Sequence, residues 1–487
     1  MKPPILLFIL VLTAGISSHA QVLKSTWTLE DCLLYATQNN IAVRQADFNK
    51  QISKNTYIQS KINLLPTVSA NASYAFDFGY SINPTTYTYS QQNSQIFSPS
   101  GQVNLNLFTG LQQINTIKKD KFDLLAYNSD YLNSINSTAL NVTNLFLQIV
   151  LNKELVKAAQ KQVNISQSQL DVAKAKIRAG TLAEAAVYDF EAQLARDQAT
   201  LIGQQNAVDI ANLALQIALQ LPDNPDQQAF DIIVPEINVG SVMGFDKTSA
   251  HDIFQYALQT QPSIQAAKAR VMSALYSMKV AKGTLSPTFS VSYGIRDNYY
   301  DKAINTSIEP TLASPGSGTP VYITTTSGTD IIGFNRVGYQ YLNTPISLQD
   351  QFKQNLSHSI SFNASIPIFS GWQRMTNVAN ARLSYKIQEL NVENANNNLR
   401  HDVYQAYANA KGYAETYVAN LKALESQRMA YETAKKRYDA GLAAAYEIQQ
   451  VQDNLARTES NAIQAKYNYI FSVKVLDFYQ GKTITLN

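Results

Sequence analysis

Cysteine occurs once, at Cys32, and histidine four times, at His19, His251, His358 and His401. A single thiol cannot close an intrachain disulfide, and the scattered imidazoles offer no metal-ligand spacing. Charge is scarce too. Charged residues make up 15% of the 487 and balance to +3, so there is no basic excess to suggest nucleic acid. Phosphate loops and Gly-x-Ser-x-Gly elbows are absent, and no helical pattern follows the Gly316 and Gly318 pair. Catalytic residues, metal ligands and cofactors are therefore not expected. Beyond the first 20 residues, no apolar run is long and uncharged enough for a transmembrane helix.

Residues 1–20 read as a secretory signal. Lys2 supplies the positive start, Ile5 to Ile16 the apolar stretch, and Ser18-His19-Ala20 a small-x-small cleavage site. The mature chain is expected to begin at Gln21, in the periplasm, the outer membrane or outside. Cys32 follows too late for lipid anchoring and fits a small buried apolar role.

The chain is written twice. Phe108-Thr109-Gly110 recurs as Phe369-Ser370-Gly371 and Gly180 as Gly441, each 261 positions on. Tyr35-Ala36 recurs as Tyr256-Ala257 and Pro66 as Pro287, each 221 positions on. The difference of 40 marks an insertion between the two strands of the second copy. One architectural unit is thus used twice. The first copy is taken as 21–240, with strands at about 67–78 and 97–108 and a helical hairpin turn near 180. The second is taken as 241–487, with strands at about 288–297 and 355–369 and a turn near 441.

Each strand alternates with period two. Val68, Ala70, Ala72, Tyr74, Phe76 and Phe78 share one face, and Phe289, Val291, Tyr293 and Ile295 match them in the second copy. Val103, Leu105 and Leu107 are matched by Ala364, Ile366 and Ile368. The other face is small or polar. These lengths suit strands that cross a bilayer at a tilt, with Tyr74, Phe76, Phe78 and Phe97 in an aromatic girdle. Four strands cannot close a membrane barrel, and an open edge in lipid leaves backbone groups unpaired. Several chains must contribute: two give eight strands, three give twelve. The connections Gly79 to Ile96 (with Asn83-Pro84) and Asp297 to Gln354 (with Pro310, Pro315 and Pro320) are expected to be irregular loops.

Between the strand pairs runs a heptad pattern. Val156, Ala159, Val163, Ser166, Leu170, Ala173 and Ile177 follow three- and four-residue steps, and Ile448, Val451, Leu455, Ala462, Ala465 and Tyr469 keep the same frame with one seven-residue step. A period of 3.5 favours coiled-coil packing. Leu111 to Ile177 contains no proline, and a helix of that length runs roughly 100 Å. Tracts Leu29–Leu65 and Leu182–Leu221 are shorter and could together match it. Pro222, Pro225 and Pro235 then break the chain, with a short strand expected at Ile232-Ile233-Val234 and its counterpart at Thr483 to Leu486.

At this point the chain resembles the TolC-like outer-membrane efflux family. The likeness is carried by Leu64-Leu65-Pro66, Leu285-Ser286-Pro287, Leu107-Phe108-Thr109-Gly110 and Ile368-Phe369-Ser370-Gly371. It is carried also by the turns Lys176-Ile177-Arg178-Ala179-Gly180-Thr181-Leu182 and Lys436-Arg437-Tyr438-Asp439-Ala440-Gly441-Leu442, and by Tyr467-Asn468-Tyr469. The resemblance implies a mixed α and β membrane protein. In it a trimeric twelve-stranded β-barrel continues into a long periplasmic α-helical coiled-coil barrel. It implies an outer-membrane exit duct, passive itself, that works with a periplasmic adaptor and an inner-membrane pump in efflux or type I secretion. The alternative from the residues alone is a periplasmic coiled-coil structural or adaptor-like protein that never inserts. By the same resemblance the adaptor-contacting turns are Arg178, Gly180, Thr181, Leu182, Arg437, Gly441 and Leu442. The periplasmic gate is Tyr438, Glu447, Gln450 and Asp189, with Gln450 where relatives carry a second acid.

Overall fold

The computed structural model describes residues 26–82, 88–222, 230–235, 248–312, 320–325, 328–334 and 337–482. The expected signal, Pro84, Pro225, Pro315, Gly316, Gly318 and Thr483 to Leu486 lie outside these residues. The described helices are α1 Leu29–Asn39, α2 Ile41–Ile62, α3 Gln112–Arg178, α4 Ala186–Leu219, α5 Ala250–Thr260, α6 Pro262–Gly283, α7 Leu348–Gln354, α8 Gln373–Asp439 and α9 Ala445–Tyr479. None of them is long and apolar enough to cross a membrane. The chain divides into two compact units.

The first unit takes in Met1–Ser53, Asp123–Val271 and Gln388–Asn487. Its helices start at matched caps. The Thr28 hydroxyl accepts from the Asp31 amide in a capping box, and Ser249, 221 positions on, accepts from Asp252. The helix expected from Leu29 to Leu65 is broken after α1. Asn40 is extended and locks the break, donating to the Ala218 carbonyl at 3.0 Å and accepting from the Ala42 amide at 2.9 Å. Gln261 makes the same break ahead of Pro262, which sits at the first helical position, where its missing N–H costs nothing. The 67 residues of α3 equal the combined 34, 11 and 22 of α4, α1 and α2.

Two cores repeat the duplication. One gathers Cys32, Ala36, Val142, Phe146, Ile149 and Leu215; the other gathers Ile253, Ala257, Val403, Ala410 and Leu476. Ala36 and Ala257, Val142 and Val403, and Leu215 and Leu476 occupy equivalent positions, and each is essentially fully buried. Burial pushes the Cys32 thiol up to about 12, with Asp31 adding to the effect. The thiol therefore behaves as a small apolar group. Two short strands, β1 Thr26–Trp27 and β4 Asp231–Ile232, pair in parallel beside this core.

The second unit takes in Lys54–Phe122 and Met272–Ile387 and holds the sheet. Its strands are β2 Thr67–Ile82, β3 Tyr89–Phe108, β5 Thr288–Arg296 and β11 Ser357–Ser365, all antiparallel, in the order β11-β5-β3-β2. The short β6, Tyr299–Tyr300, adds to β3. Among the described residues, the outer edges of β2 and β11 carry no strand.

The two expected loops are shorter and more ordered than the sequence pattern predicts. β2 and β3 pair as far as Ile82 and Tyr89, and the Tyr80 and Tyr89 rings stack at 6.2 Å. The insertion forms two hairpins. β7 Ile304–Leu312 pairs with β10 Val337–Pro345, and β8 Pro320–Thr325 with β9 Gly328–Phe334. Of the prolines that suggested irregularity, Pro320 opens β8 and Pro310 lies two residues before the end of β7, while β-branched residues such as Ile304, Thr306, Ile308, Val321 and Ile323 fill the strands. β11 stops short of the expected residue 369. Its continuation carries Pro367, which lacks an N–H, and among the described residues no strand lies beside it to hold it extended.

Candidate functional site

All the expected site residues lie in the first unit, at the tips of the α3/α4 and α8/α9 hairpins. Both tips close with the same hydrogen bonds. The Gly180 amide donates to Ile177 at 2.9 Å and the Thr181 amide to Lys176 at 2.9 Å. Correspondingly, the Gly441 amide donates to Tyr438 at 3.0 Å and the Leu442 amide to Arg437 at 2.8 Å. Each is a Schellman ending, and the glycines hold φ of +70° and +76°, a region that a Cβ disfavours. Arg178, Thr181, Arg437 and Leu442 are exposed, with Leu442 at 72%, whereas Leu182 packs inward against the tip core.

The expected gate residues do not form one cluster. Tyr438 is 7% exposed and lies in a cluster with Leu170, Ala173, Phe190, Tyr431 and Ile448. Its ring meets Phe190 at 6.1 Å and carries the Lys176 ammonium 4.5 Å over its face, so a residue of α8 grips both arms of the first hairpin. Burial raises its phenol above the ordinary range, with Asp439 adding to the effect, and its buried hydroxyl finds no hydrogen-bond partner. Glu447 is half-buried, and its Oε2 stands 3.9 Å from Nη2 of Arg437. Asp189 and Gln450, equivalent positions of the two copies, are exposed and are not part of the Tyr438 cluster.

Above the tip lies a buried polar layer. The Gln193 amide nitrogen donates to Oδ1 of Asp197 at 3.2 Å and to Oδ1 of Asp453 at 2.7 Å, bridging two carboxylates. Ser166 donates to Asp197, Gln452 donates to Ser166 at 3.0 Å, and Arg196 donates to Gln193. A cavity of about 360 Å³ adjoins the layer, lined in part by Gln162, Ile165, Arg196, Asp197, Asp453 and Arg457. Burial, and then the charge of Asp197, hold the Asp453 carboxyl above the usual carboxylate range. Ser166 stood on the apolar heptad seam and was the one available signal. A lone serine at such a step says nothing about which carboxylates meet it.

A duplicated body with paired helical hairpins and an open four-stranded sheet is the architecture of a class of outer-membrane ducts. The sequence profile of the family described as outer membrane efflux protein matches residues 34–219 and 253–482. The chain belongs to the outer membrane efflux protein family. It is a transport protein of the outer membrane and not an enzyme. Solved structures share the fold. The outer membrane protein VceC of Vibrio cholerae is 13% identical with a TM-score of 0.72, covering 94% of this chain and 97% of that one. The CmeC outer membrane channel of Campylobacter jejuni is 17% identical with a TM-score of 0.67, covering 93% and 85%. The MtrE channel of Neisseria gonorrhoeae, in its open state, is 16% identical with a TM-score of 0.68, covering 93% and 89%. No curated protein matches the chain.

Proposed function

We propose that three copies of this chain form the exit duct of a tripartite efflux or type I secretion assembly. In this reading their sheets close a twelve-stranded barrel in the outer membrane, and their helices continue it into the periplasm. A periplasmic adaptor and an inner-membrane pump supply cargo and energy, and the duct is passive. The observation that carries the reading is the four-stranded sheet with both outer edges unpaired. In hydrocarbon each unpaired backbone group costs several kcal/mol, so a lone sheet of this kind is not viable there. Apolar side chains along it, among them Val68, Phe78 and Phe362, are more than three-quarters exposed in the single chain, as expected for a lipid-facing or shared surface.

The hairpin tips are the proposed gate and adaptor contact. Tyr438, Glu447, Gln450 and Asp189 form the gate; Arg178, Gly180, Thr181, Leu182, Arg437, Gly441 and Leu442 meet the adaptor. The orphaned Tyr438 hydroxyl supports a movable tip. Packing that strands a buried hydroxyl costs about 1–3 kcal/mol, a penalty that opening relieves. Mass in mild detergent and single-channel recording in planar bilayers test the reading together. A trimer with a gated conductance is expected. A monomer that crosses lipid unaided, or a soluble species without conductance, overturns it.

A further inference from the structure

We infer that the β2 edge of one copy pairs with the β11 edge of the next in a fixed antiparallel register, with Ala72 opposite Ala364, Tyr74 opposite the neighbour's Phe362 and Ser73 opposite its Asn363. This rests on the duct reading given above. It adds the surface through which copies join and the alignment of the strands there.

The register follows from the duplication, which the structure tests internally. In the first hairpin Thr67 faces Asn104 and Val68 faces Val103. Moving the β2 residue by 221 and the β3 residue by 261 gives Thr288 facing Ser365 and Phe289 facing Ala364. Those are the pairs observed between β5 and β11. The offsets that relate the sequences therefore also relate the strand ladders. A third ladder joins the copies inside one chain. There Gly101 faces Ile295, Gln102 faces Gly294, Val103 faces Tyr293 and Asn104 faces Ser292. Its counterpart requires an outer edge of β11 and an outer edge of β2, and these are the two edges that carry no strand. The same offsets turn these contacts into Phe362 with Tyr74, Asn363 with Ser73, Ala364 with Ala72 and Ser365 with Asn71. One chain cannot satisfy them, because β2 and β11 are opposite ends of one sheet.

Two observations agree. First, the faces match. Phe362 and Ala364 meet Tyr74 and Ala72 on the apolar side, while Asn363 and Ser365 meet Ser73 and Asn71 on the polar side. A slip of one residue would put Phe362 opposite a polar-face residue and reverse every pair. Second, the strand-to-helix junctions differ as a missing neighbour demands. A Cβ on Gly110 would lie 2.3 Å from the Gly283 carbonyl, so that junction is filled from within the chain. Its equivalent, Gly371, shares the left-handed backbone, φ +58°, yet a Cβ there would meet nothing within 4 Å. In the inferred joint that space is taken by the end of the neighbour's α2.

Cysteine cross-linking of the full chain in outer membranes tests the register, with Cys32→Ala as background. Paired antiparallel positions lie about 4.5–5.5 Å apart at Cα, within disulfide reach. Ala72→Cys with Ala364→Cys, and Ser73→Cys with Asn363→Cys, sample both faces and both kinds of antiparallel site. On oxidation, each is expected to give a covalent ladder that ends at the trimer, several-fold stronger than the slipped pairs Ala70→Cys with Ala364→Cys and Ala72→Cys with Phe362→Cys. Stronger cross-linking of a slipped pair, or none from any pair in material that is trimeric by mass, overturns the register and leaves the duct reading standing. Monomeric material overturns both.

Discussion

The two hairpin tips have one backbone and two chemistries. At equivalent positions Gly180 and Gly441 take the same left-handed turn, and the two amides that follow each helix find the same carbonyls. The side chains around them diverge. Ile177 stands where the second copy has Tyr438, Lys176 where it has Arg437, and Ala186 where it has Glu447, while Asp189 stands where it has Gln450. Duplication has kept the residues that fix the turn, while Tyr438 and Glu447 belong to the second copy alone and Asp189 and Phe190 to the first alone. The second tip thus holds the inward ring and the ion pair, and the first offers its arms as the surface they grip. The proposed gate is therefore unequal in its two tips, and loosening the second should matter more than loosening the first.

The largest effect is expected at Tyr438. Truncating a buried aromatic costs about 3–5 kcal/mol, and the orphaned hydroxyl places this one at the low end. Tyr438→Ala should then speed local opening of residues 431–455 roughly a hundredfold, read as amide hydrogen exchange in the assembled protein. Ile177→Ala, at a half-buried position, should cost about 1 kcal/mol in its own segment. Tyr438→Phe is expected to slow exchange rather than speed it. Equal responses from Tyr438→Ala and Ile177→Ala would abolish the asymmetry.

The glycines provide the opposite test. Gly180→Ala and Gly441→Ala each force a Cβ into left-handed backbone, at about 1 kcal/mol, while meeting no neighbouring atom within 4 Å. Their shifts in thermal midpoint should therefore agree. A clear difference would mean that the two turns, alike in hydrogen bonding, do not share one local energy.

These contrasts mark how far the sequence could be read. The offsets 261 and 221 exposed the duplication, the four main strands and both turns, because those features depend on local pattern: period two, period 3.5, and glycine where φ is positive. The break at Asn40 was missed because its cause is distant, a carbonyl at Ala218 that only the fold brings near. The order inside the insertion was missed because its prolines look like breakers wherever they stand, and only pairing places Pro310 and Pro320 within strands. Among the candidate gate residues, Tyr438 joins the buried tip cluster and Glu447 pairs with Arg437, an adaptor-turn candidate, while Asp189 and Gln450 join neither. The Gln193 bridge between Asp197 and Asp453 spans 260 positions and leaves no periodic trace.

A smaller effect is expected from the ion pair. Arg437 and Glu447 stand 3.9 Å apart at a partly solvated site, where such a pair contributes about 0.2–1 kcal/mol. Glu447→Ala should raise resting conductance or alter cation preference in planar bilayers by no more than about fivefold, and Asp189→Ala should change it less. Equal or reversed sensitivity would place the constriction on the first tip instead.

The smallest effect belongs to Asp453, and its sign is the sharpest part of the comparison. Burial first, and the charge of Asp197 second, raise this carboxyl above its ordinary 3.8, against the opposing hydrogen bond from Gln193. An acid whose folded value is raised binds its proton more tightly in the folded state. Its contribution is therefore complete below the unfolded value, and it is lost as the pH rises through the folded one. The layer should hold best in acid and weaken toward neutral pH. Asp453→Asn keeps the shape and removes the charge, so it should slow hydrogen exchange in residues 445–460 at neutral pH and flatten its pH dependence. The first copy has Ala192 at the equivalent position and so carries no such group. Ala192→Asn, as the matched control, should leave that pH dependence in place. If Asp453→Asn instead speeds exchange at neutral pH, the ionised carboxylate is what holds the two hairpins together.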